Sequence, residues 1–327
     1  MMLLSFLMTA ADPSGQIAFV SGTEQEDYCV CVVDVASGAV TRVGPGRRDN
    51  SPVWSPDGEW LAFVSEVEGG NAIYMVRADG SDLKKIDHKY EWNSDPSWSP
   101  DGTRLAYVGG DQIVVYNVAT GIETEWGGGI RRLARPVWVN DDSILAVGLV
   151  GTLGSATLEV FTVNQDTAEP LPASLFPPGG PYVEWAVAPH PAGNAIALEL
   201  NREGDRDIFL LSLQDIPRDL SNHPTADWNP VWRPDGRALA FESFRAVRRG
   251  IYGVYPDTLR VFPIAAALDS DNWSPTWSPD SRWIAFVSNR TGDPELFVVD
   301  AEGRQLRRLT DHVGPDISPA WRPGRKP

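Results

Sequence analysis

The sequence predicts an all-β protein, a seven-bladed β-propeller of four-stranded antiparallel blades closed by its own C-terminal strand. Three observations predict it. Short apolar runs such as "LAFVS", "IVVYNV" and "LFVVD" recur between Gly, Pro, Asp and Asn, with no long stretch of 3.6-residue period. A tryptophan followed by a Ser-Pro-Asp-Gly turn returns at nearly regular intervals. The first and last units are both incomplete, in complementary ways.

The turn reads "SPVWSPDG" at 51–58, "SDPSWSPDG" at 94–102, "NPVWRPDG" at 229–236 and "SPTWSPDS" at 274–281. Its tryptophans anchor a series: Trp54, Trp98, Trp138, Trp185, Trp232, Trp277 and Trp321, spaced by roughly 40–47 residues, the length of a four-stranded blade. A second landmark is the alanine of the following strand: Ala62, Ala106, Ala146, Ala197, Ala240 and Ala285. It lies eight residues after each tryptophan, except in the unit carrying "APHPAGNAIAL", where the offset is twelve. Each unit then reads as an inner strand ending in Trp, the turn, a second strand, a third ("AIYMVRADG", "ELFVVDAEG") and a short fourth ("DLKKI", "QLRRL"). Proline presets φ at the second turn position, and glycine accepts the left-handed conformation at the fourth. So regular a repeat is scaffold rather than active site.

The run "GQIAFVS" at 15–21 has the second-strand pattern, but eight residues before Ala18 stands Ala10, not Trp. At the other end "ISPAWRP" has the inner-strand pattern with no second strand after it. The C-terminal segment is therefore expected to supply the innermost strand of the blade begun by residues 16–43, a closure that leaves no first or last blade with an exposed face. The expected organisation is an apolar segment over 1–14, one propeller over 15–324 and a tail over 325–327.

The net charge is −16, from 44 acidic against 28 basic residues. That field repels a duplex, so nucleic acid is excluded as the expected partner. The two cysteines, Cys29 and Cys31, are expected to share one face of a strand and give neither a disulfide framework nor a metal-binding spacing. The N-terminal "MMLLSFLMTAAD" has two readings: a secretory signal with cleavage near Ala10 or Ala11, or an apolar segment packed on the fold. No run is long enough for a transmembrane helix. The expected location is periplasmic or extracellular, with the cytoplasm left open.

"WSPDG…LAFVS…IYMVRADG", "SNRTGDPELFVVDAEGRQLRRLT" at 288–310 and "LTDHVGPDISPAW" resemble the TolB-type propeller repeat. The resemblance covers about residues 15–324. It implies a propeller that binds proteins or peptides, often in the periplasm or outside the cell, and a relative of TolB rather than TolB itself. The units around Trp138 and Trp185 have lost the Pro-Asp-Gly core. Similar propellers also accompany peptidase domains, but this chain has no G-x-S-x-G nucleophile elbow.

Candidate site residues fall in loops between one fourth strand and the next inner strand, where function is grafted onto a repeating scaffold. Trp92, Trp228 and Trp273 fall outside the repeat pattern, as do Tyr90 and Tyr182. Flat aromatics there suit a peptide or a sugar face. Arg135 is the lone base three before an anchor and could pair a carboxylate. Five before each anchor stand Asp49, Asn93, Leu133, Gly180, Asp227, Asn272 and Asp316. Either these cap their own turns, or Asp49, Asp227 and Asp316 form a candidate calcium site at the channel mouth. His88, His223 and His312 take similar loop places and are expected to stay apart as turn residues; His190 is placed on the opposite face. Glu184, one before Trp185, breaks a series of small residues; a local register change or a shifted carboxylate pKa would each account for it.

The expected function is a non-catalytic recognition platform without a resident cofactor, calcium apart, taking a protein, peptide or saccharide on the aromatic loop face. Two alternatives stay open: a lyase or hydrolase using acids at the channel mouth, and a structural subunit docking through the divergent blades.

Overall fold

The computed structural model describes residues 12–22, 27–86, 89–150, 157–172, 183–202, 205–212 and 217–324. They form seven separate four-stranded antiparallel sheets and no helix. Blade 1 joins the two ends of the chain: Gln16–Ser21, Cys29–Asp34 and Val40–Arg42 are completed by Asp316–Trp321 on the inner side. The inner strands of blades 2 to 7 are Asn50–Trp54, Asn93–Trp98, Leu133–Asn140, Val183–Pro189, Asp227–Trp232 and Asn272–Trp277. The expected seven-bladed ring and its closure are both present.

Second strands lie between two paired neighbours and between two other blades, so both faces are buried. This explains continuous runs such as Leu61–Val64 and Ile284–Val287, buried throughout. The core is divided among blade interfaces. Ile17, Phe19, Cys31 and Val33 of blade 1 pack against Ala285, Val287, Leu296 and Val298 of blade 7. Cys29 and Cys31 do share a face, with Sγ atoms 3.5 Å apart and both thiols free.

The repeated tryptophan links blades. Its indole N–H donates to the carbonyl of the residue just before the preceding blade's anchor: Trp54 to Ala320 at 3.0 Å, Trp98 to Val53 at 3.2 Å, Trp138 to Ser97 at 3.0 Å and Trp277 to Val231 at 3.2 Å. Trp232 donates to Ala188 at 2.9 Å, and Ala188 pairs with Ala197. The anchor of blade 5 is therefore Pro189, not Trp185. Counted from Pro189 the offset to Ala197 is the usual eight, so the twelve-residue exception disappears and Glu184 no longer stands one before an anchor. Blade 4 needs the opposite adjustment. Trp138 pairs with Ile144, which puts Leu145 rather than Ala146 at the landmark, because the turn through Asn140 and Ser143 is one residue shorter.

The Ser-Pro-Asp-Gly turn is held by its own side chains. Ser55 Oγ donates to Asp57 Oδ1 at 2.5 Å and accepts from Trp60 N–H at 2.9 Å, and Ser99 and Ser278 repeat the arrangement. Gly58 has φ +70°, and in blade 7 Ser281 takes the same conformation at φ 63°.

The inner strands share an irregularity that the sequence pattern did not disclose. Three residues before the anchor, Ser51, Asp95, Arg135, Asn229, Ser274 and Ser318 all adopt φ between 51° and 54°. Each is followed by proline and lies where the ladder slips by one residue. This is a β-bulge. Proline is tolerated there because the unpaired position needs no N–H donor. Ser318 is exposed and tests the point. Ser318→Gly is expected to unfold in urea within about 0.5 kcal/mol of wild type, and Ser318→Val to lose about 1–2 kcal/mol, the left-handed cost for an L-residue. Equal midpoints for the two variants would contradict the bulge.

Candidate functional site

The loops from fourth to first strands and from second to third strands emerge on one face of the ring. Among the described residues that face carries several large exposed apolar side chains, Trp92, Phe244, Val247, Leu268 and Val313 among them. Val247 is 81% and Trp92 62% exposed, values that no packing role within the chain requires.

Trp228 and Trp273 lie four before their anchors in adjacent blades, and the structure joins them through Arg249. Its guanidinium carbon lies 5.2 Å from the Trp228 ring centroid and 5.7 Å from that of Trp273, a cation between two π faces. Phe244 extends the strip, with its ring 5.2 Å from Trp228. Both indoles are half-buried, and Trp273 also packs against the blade 1/blade 7 core. The arginine is held from below by Glu242, a wholly buried carboxylate ion-paired with it. Glu242 Oε1 further accepts from Asn229 Nδ2 at 2.7 Å and from Ser274 N–H at 2.9 Å. Asn229 and Ser274 are the bulge residues of blades 6 and 7. One carboxylate thus fixes two inner strands, the arginine and, through it, both indoles.

Glu242 and Arg249 escaped the sequence reading, although one carried a mark. The second strand reads "LAFES", where blades 2, 3 and 7 place Val64, Val108 and Val287 at the glutamate's position. Glu199 of blade 5 breaks the same rule; it too is buried and pairs with Arg206 at 3.1 Å.

The remaining candidates do not join this strip. Trp92 shares the face but belongs to the loop entering blade 3, across the ring, where its carbonyl accepts from Gly110 N–H at 2.8 Å. Arg135 is exposed on the bulge of blade 4. Tyr182 lies outside the described residues, as do His88 and Gly180. Tyr90 packs on Gly109 and Gly110, and its hydroxyl donates to Glu125 at 2.7 Å.

Asp49, Asp227 and Asp316 are all buried, and their surroundings differ. Asp49 accepts backbone N–H bonds from Val30, Gly46 and Arg47 at 3.1, 2.9 and 3.3 Å. Asp227 pairs with Arg245 at 2.7 Å, while burial still holds its pKa above the usual carboxylate range. Asn272, the amide at this place in blade 7, accepts from Arg290 at 2.7 Å. Asp316 faces His312, whose Nε2 lies 3.1 Å from Oδ1, and burial pushes its pKa up to about 6. The three aspartates do not gather around one point. Among the described residues the single cluster of metal-capable side chains is Glu295, His312 and Asp316.

Of the loop histidines, the described His223 and His312 lie in the loops entering different blades. His223 Nδ1 meets Thr225 Oγ1 at 2.8 Å. His190 packs edge-on against Trp232, accepts from Ala192 N–H at Nδ1 and faces the Gly236 carbonyl through Nε2. His312 Nε2 also lies 2.6 Å from Ser21 Oγ. The serine and Asp316 thus meet the same ring nitrogen. A relay that activates a serine needs the two on opposite nitrogens, so this trio is not built for nucleophilic catalysis.

The family profile described as TolB beta propeller domain matches residues 6–173. An uncharacterized protein of Agrobacterium fabrum is 37% identical over 76 residues, 23% of this chain and 26% of that protein; the chain therefore aligns with about a quarter of that relative's length. Among solved structures, TolB from Acinetobacter baumannii superposes with TM-score 0.63 at 18% identity, covering 96% of this chain and 68% of that one. The β-propeller domain of the trilobed protease from Pyrococcus furiosus gives TM-score 0.71 at 15% identity, covering 93% and 97%. That domain is described as having an open velcro topology, whereas here the ends pair from Ile17↔Trp321 to Ser21↔Asp316. Acylaminoacyl peptidase from Pyrococcus horikoshii gives TM-score 0.68 at 15% identity over 91% of this chain and 51% of that enzyme.

Proposed function

Because the chain belongs to the TolB β-propeller domain family, we propose that it is a non-catalytic recognition scaffold that binds a protein segment on its loop face, centred on Trp228, Arg249 and Trp273. The observation that carries this reading is the aromatic–arginine–aromatic strip, preorganised by a buried carboxylate and continued by exposed Phe244 and Val247. Tryptophan and arginine are the side chains most enriched at protein-binding hot spots, and immobilising them before binding lowers the entropy lost on association. No helix among the described residues is long and apolar enough to cross a membrane. The periplasm or the cell exterior is the location this reading assigns, in keeping with the resemblance to TolB-type propellers.

The test is a double substitution, Trp228→Ala with Trp273→Ala, assayed against a partner captured from the envelope fraction of the native host. Binding is expected to fall by roughly tenfold or more. Stability is expected to fall by about 1–2 kcal/mol, since both rings are only half-buried. A large stability loss with unchanged affinity would make these indoles packing residues. Unchanged affinity here, with loss on Leu149→Asp, would move the contact to blade 4, where Ile130, Leu149 and Val150 are exposed. Capture by an oligosaccharide array and by no protein would replace the protein segment with a sugar.

A further inference from the structure

At the seam where the ring closes, a buried carboxylate lacks the guanidinium that the side chains at the same place in blades 6 and 7 face. In blade 6, Arg245 stands two residues after Ser243 and reaches back to Asp227; its Nε also donates to Ser243 Oγ at 3.0 Å. In blade 7, Arg290 stands two after Ser288, reaches Asn272 and bonds Ser288 in the same way at 2.9 Å. Blade 1 has the serine, Ser21, paired in the ladder with Asp316, but the residue two positions on is Thr23. That position supplies no guanidinium.

What surrounds Asp316 instead is a set of metal-capable donors. Its carboxylate is completely buried, and neither oxygen makes a formed hydrogen bond. His312 Nε2 is 3.1 Å from Oδ1. Glu295, buried at the edge of blade 7, completes a group in which one ligand atom from each residue lies within 4.8 Å of the others. Glu295 has its own counter-charge, Arg308 at 2.9 Å from Oε1, while Oε2 takes the Thr310 hydroxyl. The charge left unbalanced is that of Asp316. A second carboxylate so near in a desolvated place makes an uncompensated anion costly, and a small divalent cation removes that cost where an arginine cannot reach. His312 is 41% exposed and gives an ion a path from solvent.

We propose that Asp316, His312 and Glu295 bind one divalent transition-metal ion of the zinc class, which staples blade 7 to the closing blade. One imidazole and two carboxylates suit that class, with water or a neighbouring hydroxyl completing the coordination. Binding requires the Thr310 hydroxyl to turn from Glu295 Oε2. The ion takes the place that a guanidinium fills beside Asp227.

The experiment uses the full chain, stripped with chelator and dialysed, titrated at pH 7.5 with zinc chloride by calorimetry and melted with and without the metal. Manganese and calcium chloride are run in parallel. One equivalent of zinc is expected to bind and to raise Tm, because a ligand selective for the folded state stabilises it. His312→Gln, exposed enough to leave the fold intact, is expected to weaken binding at least tenfold and to abolish the rise. Asp316→Asn is expected to do the same. His223→Gln and the pair Cys29→Ser, Cys31→Ser are expected to bind as wild type. The proposal fails if zinc shows no saturable binding near one equivalent, or if binding survives His312→Gln. It fails equally if binding disappears with the cysteines, or if calcium alone binds.

Discussion

Deletion of residues 317–327 is expected to abolish the cooperative unfolding transition of the whole ring, not merely to loosen one blade. The deleted strand carries Trp321, buried in the blade 1/blade 7 core, and the carbonyl of Ala320 that receives the Trp54 indole N–H. Arg322 adds a backbone bond to Gln16 at 2.8 Å and a side-chain bond to Gly58 at 2.6 Å. Removing a buried tryptophan alone costs about 3–5 kcal/mol. Added to an unpaired ladder along Gln16–Ser21, the loss is comparable to the whole stability of an ordinary domain. The measurement is thermal unfolding followed by circular dichroism and by size-exclusion chromatography. A truncated protein that stays monomeric and melts within about a degree of the full chain would refute ring closure as the stabilising feature.

The second large effect is expected at Glu242. Valine is the residue that blades 2, 3 and 7 use at this place, so Glu242→Val fits sterically and removes only the carboxylate. It leaves the Asn229 amide, the Ser274 N–H and the Arg249 guanidinium without their acceptor. The expected loss is about 2–4 kcal/mol, since breaking a buried pair costs more than the pair itself contributes. Adding Arg249→Leu is expected to recover part of that loss, a coupling of about 1–3 kcal/mol in the double-mutant cycle. Urea unfolding of the four proteins measures it. Additive effects, or a Glu242→Val protein within about 0.5 kcal/mol of wild type, would remove the carboxylate from its central place in the strip.

The architecture was legible because a propeller repeats its local solutions. The tryptophan, the turn and the alanine recur in nearly fixed phase, dictated by contacts that most blades share. Blade 5 shows where such reading slips. Trp185 stood at an acceptable spacing, yet the backbone uses Pro189, and only the constant offset to Ala197 discriminated between them. The proximity of Trp228 and Trp273 followed from adjacent blades, but Arg249 did not, because it enters from a second-to-third-strand loop without a repeating pattern. Glu295 was invisible beside His312 and Asp316 for a similar reason: it arrives from the neighbouring blade. The left-handed bulge was written in every "x-Pro-x-Trp", but proline in a strand reads first as an edge and not as a slipped register.

The pairing of the first strand with the last also sets a schedule for the chain during its synthesis. Gln16 and Arg322, bonded in the finished ring, are 306 residues apart. At roughly 5–20 residues per second the ribosome needs about 15–60 s between the two. For that interval the strand Gln16–Ser21, apolar from Ile17 to Val20, lacks its inner neighbour and presents an open edge to any other strand. The ring thus exchanges a permanent edge for a temporary one. Folding to the native ring is therefore expected to be slow, limited by its most distant contact, and sensitive to chaperone supply in a way that the finished protein is not.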